Sequence, residues 1–130
     1  MSTLETFSGQ CHCGAVKFEV DVGQRVADAC NCSLCFQKGF VHVIVPKDRF
    51  RLLQGAERLT TYTFNTGVAQ HTFCDRCGVQ AFYTPRSHPD GVSVNLRSLG
   101  PEIYETFTIR PFDGRNWEKV IGEIAGYEGR

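Results

Sequence analysis

The sequence has no surplus of charge: acidic and basic residues number 14 each, interleaved along 130 residues, for a formal net charge of zero. With no basic stripe to meet a phosphate backbone, nucleic acid is excluded as a partner on electrostatic grounds. Long apolar runs are missing too, and none approaches the roughly 18 consecutive residues of a membrane span. Met1-Ser2-Thr3-Leu4-Glu5 shows neither the cationic start nor the apolar stretch of a secretory signal, so the expected location is the cytoplasm. Helical periodicity is weak, and only Ser33 to Lys38 and a stretch near Trp117 to Ile121 read as short helical turns. In the absence of repeats, linkers or low-complexity stretches, residues 1–130 read as a single domain.

Cysteine, by contrast, is abundant: there are seven. A reducing cytoplasm keeps thiols reduced, so this density favours metal or thiol chemistry over structural bridges. Spacing supports that choice. Cys11 and Cys13, like Cys30 and Cys32, are separated by one residue, too close for an unstrained disulfide, and an odd total leaves one thiol over. Cysteines that merely pack as small hydrophobes have no reason to gather in this way.

The surrounding sequence reads as strands. Ala15 to Asp21 sets Val16, Phe18 and Val20 against Lys17, Glu19 and Asp21, the alternation of a half-buried strand. Phe40 to Val45 repeats it through Val41, Val43 and Val45, and Pro46 stops it by withholding a ladder donor. Leu59 to Phe64, a turn at Asn65-Thr66-Gly67 and Val68 to Phe73 form a hairpin that delivers Cys74. Val79 to Thr84 and Val92 to Leu96 are further strands around a loop rich in turn formers. The expected fold is mostly β, with the cysteines on loops. Short strands bury limited apolar surface, and a structural zinc contributes on the order of 10 kcal/mol to small zinc peptides, enough to decide whether such a fold exists.

Three donor clusters stand out: Cys11-His12-Cys13-Gly14, Cys30-Asn31-Cys32-Ser33-Leu34-Cys35 and Cys74-Asp75-Arg76-Cys77-Gly78. In the last, a tight turn aims two sulfurs at one ion, and Gly78 admits a backbone conformation that bulkier residues resist. Seven sulfurs divide naturally into four plus three, a closed tetrahedral site and one with an open position. Spacing alone does not force the partition, because Cys11/Cys13 can also pair with Cys32/Cys35 as a zinc ribbon.

The strings Gly9-Gln10-Cys11-His12-Cys13-Gly14-Ala15-Val16, Cys30 to Cys35 and His71-Thr72-Phe73-Cys74-Asp75-Arg76-Cys77-Gly78-Val79 resemble the glutathione-dependent formaldehyde-activating enzyme family. Thr61 to Thr66, Ala69 to Cys74 and Phe82 to Ser87 resemble its centromere protein V branch most. The resemblance implies a β-tent fold of short antiparallel sheets with zinc-binding loops and two Zn2+ per chain. It also implies that Cys11, Cys13, Cys74 and Cys77 form the structural site, and Cys30, Cys32 and Cys35 the open, catalytic one. The implied activity is that of a carbon-sulfur lyase, forming or cleaving a glutathione-aldehyde adduct such as S-hydroxymethylglutathione, with glutathione as the small-molecule thiol. The alternative is a non-enzymatic zinc- and thiol-binding or protein-interaction module. Three thiolates leave a Zn2+ site at about −1 and a fourth takes it to about −2, which lowers Lewis acidity and suits a carrier.

No histidine receives a catalytic role. His71 reads as a hydrogen-bonded strand residue that can alternatively complete a site, His12 points away from the ion its neighbours hold, and His42 faces solvent or a pocket. Arg86 and Arg97 are candidates to pair with glutathione carboxylates. Phe36, Phe40, Tyr62, Phe64, Phe73, Phe82 and Tyr83 read as mostly core, with one or two lining the cleft, and Asp113-Gly114-Arg115-Asn116-Trp117 as a structural turn with an anchor aromatic.

Overall fold

The computed structural model describes residues 3–64 and 66–123. The strands of this part are β1 (Glu5–Gln10), β2 (Lys17–Val22), β3 (Val26–Cys30), β4 (Val41–Pro46), β5 (Phe50–Gln54), β6 (Leu59–Tyr62), β7 (His71–Cys74), β8 (Phe82–Tyr83), β9 (Gly91–Asn95) and β10 (Thr108–Phe112). Short helices α1 (Ser33–Lys38), α2 (Pro101–Tyr104) and α3 (Trp117–Val120) punctuate them. The strands form three sheets, ordered β1-β2-β5, β10-β3-β4-β9-β8 and β6-β7. The fold is thus mostly β, and its strand pairs are antiparallel except for β10 on β3, which is parallel.

The period of two along each strand explains how the sheets pack. Phe18, Val20 and Val22 of β2 turn inward from the three-stranded sheet, where they meet Val41, Val43 and Val45 of β4 and Val92 and Val94 of β9. Phe18, Val20, Val45 and Val94 are fully buried. The intervening residues of the five-stranded sheet face the other way. Asp28 stands opposite His42, and Ser93 stands opposite both Ile44 and Tyr83, so these five side chains share the face that does not meet the core.

The β6–β7 hairpin is tied to this sheet through β8. Gln70 and Thr84 exchange backbone hydrogen bonds of 2.9 and 3.1 Å, and Thr72 Oγ1 donates to the Phe82 carbonyl at 2.7 Å. His71 is thereby stacked over Tyr83, with ring centroids 4.8 Å apart. The expected hairpin is present, although Asn65 of its turn lies outside the described residues. Its second strand begins at His71 because Val68 and Ala69 belong to the loop.

The first expected strand also starts late, at Lys17, because Cys11 to Val16 closes a turn through Cys11 N–H to the Val16 carbonyl at 3.0 Å. Pro46 occupies the last position of β4 rather than lying beyond it, where one missing donor matters least. β10 carries Pro111 and lies at the sheet edge, which tolerates it.

On the solvent face of the small sheet, Arg51 donates to both oxygens of Asp21 at 2.9 and 3.0 Å, and Thr6 Oγ1 donates to Asp21 Oδ1 at 2.8 Å. These bonds pull the Asp21 carboxyl from 3.8 down to about 2. A folded value below the unfolded one adds stability that is complete above the unfolded value and lost as pH falls through the folded one. Asp21→Asn should therefore cost about 1 kcal/mol at neutral pH, allowing for partial exposure. Denaturant titrations across the acid range should show the gap from wild type closing between 3.8 and about 2. A gap that persists at the acid end would remove the pair from the stability account.

Candidate metal centres and the adjoining cavity

The seven cysteines are free thiols gathered into two groups. Cys11, Cys13, Cys74 and Cys77 form one, and Cys30, Cys32 and Cys35 the other; within each, the sulfurs lie within 4.8 Å of one another. The structure thus joins Cys11/Cys13 to Cys74/Cys77, and the alternative pairing with Cys32/Cys35 is not the one formed.

The first group rests on two similar turns. Gly14 N–H donates to the Cys11 carbonyl at 3.1 Å and Cys11 N–H to Val16; Gly78 N–H donates to the Cys74 carbonyl at 2.8 Å and Cys74 N–H to Val79. Both turns pass through a glycine of positive φ, Gly14 at 80° and Gly78 at 78°, where a side chain would be strained. Backbone N–H groups of Val16 and Arg76 point at Cys11 Sγ and Cys74 Sγ at 3.3 and 3.4 Å. Four sulfurs around a tetrahedral ion with bonds of about 2.3 Å stand about 3.8 Å apart. The Cys11–Cys13 and Cys13–Cys74 sulfur separations are both 3.7 Å. Cys11 and Cys74 are buried against Val16, whereas Cys13 reaches the surface, so this group is closed by its donor count rather than by depth.

The second group is local. Cys30 ends β3, Cys32 caps α1 by accepting from Cys35 N–H at 3.4 Å, and Cys35 lies buried in the first turn of that helix. Cys32 N–H donates to Cys30 Sγ at 3.4 Å. The neighbouring thiols, donating to Cys32, hold it far below the ordinary thiol value, while Cys30 and Cys32 push Cys35 far above it. One negative charge is therefore easily carried by the three sulfurs and further ones are opposed; a divalent cation supplies the compensation that three thiolates require. Both groups can hold a metal ion.

The three-sulfur group opens into a cavity of about 390 Å³. The outward face of the five-stranded sheet supplies Asp28, Cys30, His42, Ile44 and Tyr83, and the hairpin side supplies Phe64, Thr66, Ala69 and His71. Pro85, Arg86 and Ser87 form one rim; Phe112, Gly114, Arg115 and Trp117 form another. His42 Nδ1 lies 2.9 Å from Ser93 Oγ and 3.3 Å from the Tyr83 hydroxyl. Burial, reinforced by Lys38, lowers the pKa of His71, so its ring is neutral at pH 7. Among the described residues, no histidine or carboxylate joins the three sulfurs within the same span, so His71 faces the cavity without completing the donor set.

Several sequence expectations change here. Arg86 reaches the cavity, but Arg97 donates to the Gly39 carbonyl and lies over Tyr104, away from it. Phe36 is 69% exposed, Tyr62 49% and Phe64 41%, so none of the three is core. His88 is buried and bonded to Ser87 Oγ at 2.8 Å. The segment from Asp113 to Trp117 is a turn, as expected, and also a cavity wall. Asn31 N–H bonds to the Phe112 carbonyl, its side chain to Asp113, and Arg115 donates back to Asn31. The parallel pairing of β10 with β3 creates this contact, and no local sequence signal announces it.

A β protein whose two cysteine groups are each shaped for one ion, with a cavity on one of them, belongs to a recognisable class. The family described as glutathione-dependent formaldehyde-activating enzyme matches residues 6–108, and the chain belongs to it. A curated relative from Talaromyces marneffei, named "Putative glutathione-dependent formaldehyde-activating enzyme", is 32% identical over 102 residues, 74% of this chain and 53% of the relative. The chain thus spans about half the length of that relative. A crystal structure of a Rhodobacter sphaeroides protein, solved as a structural genomics target, is similar with a TM-score of 0.70 and 35% identity, covering 79% of this chain and 99% of that one.

A methyl group on Gly114 would overlap Cys30 Sγ and press on Cys32. Gly114→Ala should therefore displace the three-sulfur group without touching the four-sulfur one. Cobalt titration, followed by sulfur-to-metal absorption, should show one of two binding steps weakened about tenfold or more, an overpacking cost of 1–3 kcal/mol. Unchanged titration would show that this wall yields freely.

Proposed function

We propose that the chain is a single zinc-binding domain over residues 1–130 that forms or cleaves S-hydroxymethylglutathione as a carbon-sulfur lyase. In this reading Cys11, Cys13, Cys74 and Cys77 hold a structural Zn2+, and Cys30, Cys32 and Cys35 hold a second one whose remaining position faces the cavity. The observation that carries it is the asymmetry of the donor sets: four sulfurs satisfy one another at tetrahedral spacing, while three lie in the wall of a 390 Å³ cavity. A Zn2+ held by Cys30, Cys32 and Cys35 would supply the acidity that makes an incoming thiol nucleophilic at neutral pH.

The protein's own groups bind and orient. The cavity size suits a tripeptide thiol, and Phe64, His71 and Tyr83 stack in series along one wall to exclude water from the sulfur end. In the forward direction a carbon–sulfur bond forms, the carbonyl π pair moves to oxygen, and oxygen takes up the proton the thiol gave up; the reverse direction retraces these changes. A thiol-dependent reaction needs a reducing compartment, consistent with a cytoplasmic setting. Among the described residues no helix is long and apolar enough to cross a membrane.

Two substitutions separate the centres. Cys77→Ser breaks a group that joins residues 61 positions apart, as measured from Cys13 to Cys74. It should lower Tm by on the order of 10 °C or more. Cys32→Ser breaks a group closing only six residues, so Tm should move by roughly a few degrees while one zinc and glutathione binding are lost. Zinc content, calorimetry and the rate of S-hydroxymethylglutathione formation over the uncatalysed background are the measurements. Tight thiol binding with no acceleration in the wild type would leave a thiol carrier. Unfolding of Cys32→Ser would instead make the second zinc structural.

A further inference from the structure

The cavity is lined by groups of both charge signs. The three sulfurs share its wall with Asp28, which is buried and paired with Arg110 at 3.4 Å. Arg86 and Arg115 line the same cavity, Arg115 beside the three-sulfur group through its bonds to Asn31. Arg86 Cζ sits 3.8 Å from the centroid of the Trp117 ring. Stacking occupies a guanidinium face and leaves its five N–H donors free in the plane, the arrangement that grips a carboxylate with two parallel bonds. Arg25, Arg51, Arg58 and Arg110 each pair with an acid, whereas among the described residues no carboxylate pairs with Arg86. Arg115 is held by its Nε–H on the Asn31 carbonyl at 3.2 Å, which directs its outer nitrogens without consuming them.

We infer that Arg86, held flat by Trp117, and Arg115 bind the carboxylates of the thiol ligand, so that the cavity selects thiols that carry carboxylates. Trp117 is then a positioning residue acting through Arg86. The inference rests on the reading that a thiol enters this cavity, and it assigns specificity partly to residues beyond the matched 6–108 stretch, since Arg115 and Trp117 both lie past it.

The test uses the zinc-loaded full chain and calorimetric titration with glutathione, glutathione diethyl ester and cysteamine. Wild type should bind glutathione about tenfold to hundredfold more tightly than the diester, the worth of charge-assisted hydrogen bonds. Arg86→Gln should lose about tenfold or more toward glutathione and nothing toward the diester, and Arg115→Gln should follow the same pattern. Trp117→Leu should reproduce the Arg86→Gln result although it deletes no donor, and Trp117→Phe should restore discrimination. Equal losses toward both ligands, or a wild type that does not discriminate, would overturn the inference; the second comparison needs no variant to fold. A wild type that accelerates S-hydroxymethylglutathione formation yet binds the diester equally well sinks this inference and spares the lyase reading. Discrimination without acceleration does the reverse.

Discussion

Mutual repulsion among thiolates held a few ångströms apart is the constraint on which this protein turns. Two turns 61 residues apart in sequence bring Cys13 and Cys74 to a sulfur separation of 3.7 Å, with backbone N–H groups already aimed at the sulfurs. Such a gathering is costly as bare anions and favourable around a shared cation, so the binding of an ion there would be coupled to folding. The glycine turns, the buried Cys11 and Cys74 and the packing on Val16 all serve that geometry.

The second dependence is the two-residue period of the five-stranded sheet. Because Val41, Val43 and Val45 face the core, His42 and Ile44 must face the opposite way, and the same logic sends Asp28 and Cys30 there from β3. One sheet therefore supports both the core and the cavity. The hairpin closes the cavity because Gln70 and Thr84 bond across to β8, which lays His71 on Tyr83.

Much of this was legible in the sequence. Clean alternation marked β2 and β4, and the cysteine spacing marked the donor clusters, whose partition into four and three follows the family resemblance. Other elements carried no readable signal. β1 has one buried apolar residue, Phe7; β3 interrupts small residues with the buried Asp28; and β10 contains Pro111 and exposed Ile109. Phe36 read as core with the strand aromatics, but it lies in a six-residue helix that buries Cys35 and leaves that ring largely in solvent. Gly114, Arg115 and Trp117 looked like turn chemistry because their partners, Asn31 and Arg86, lie far away in sequence.

The parallel pairing of β10 with β3 also orders events during synthesis. All seven cysteines lie at or before residue 77, and the three-stranded sheet is complete by Gln54, whereas β10 begins at Thr108. A chain growing from the ribosome therefore holds both complete donor sets some thirty residues before it possesses the strand that walls the cavity. Domains fold as their residues become available. An ion that binds these sulfurs could thus be captured before enclosure, while the cleft is still open to solvent.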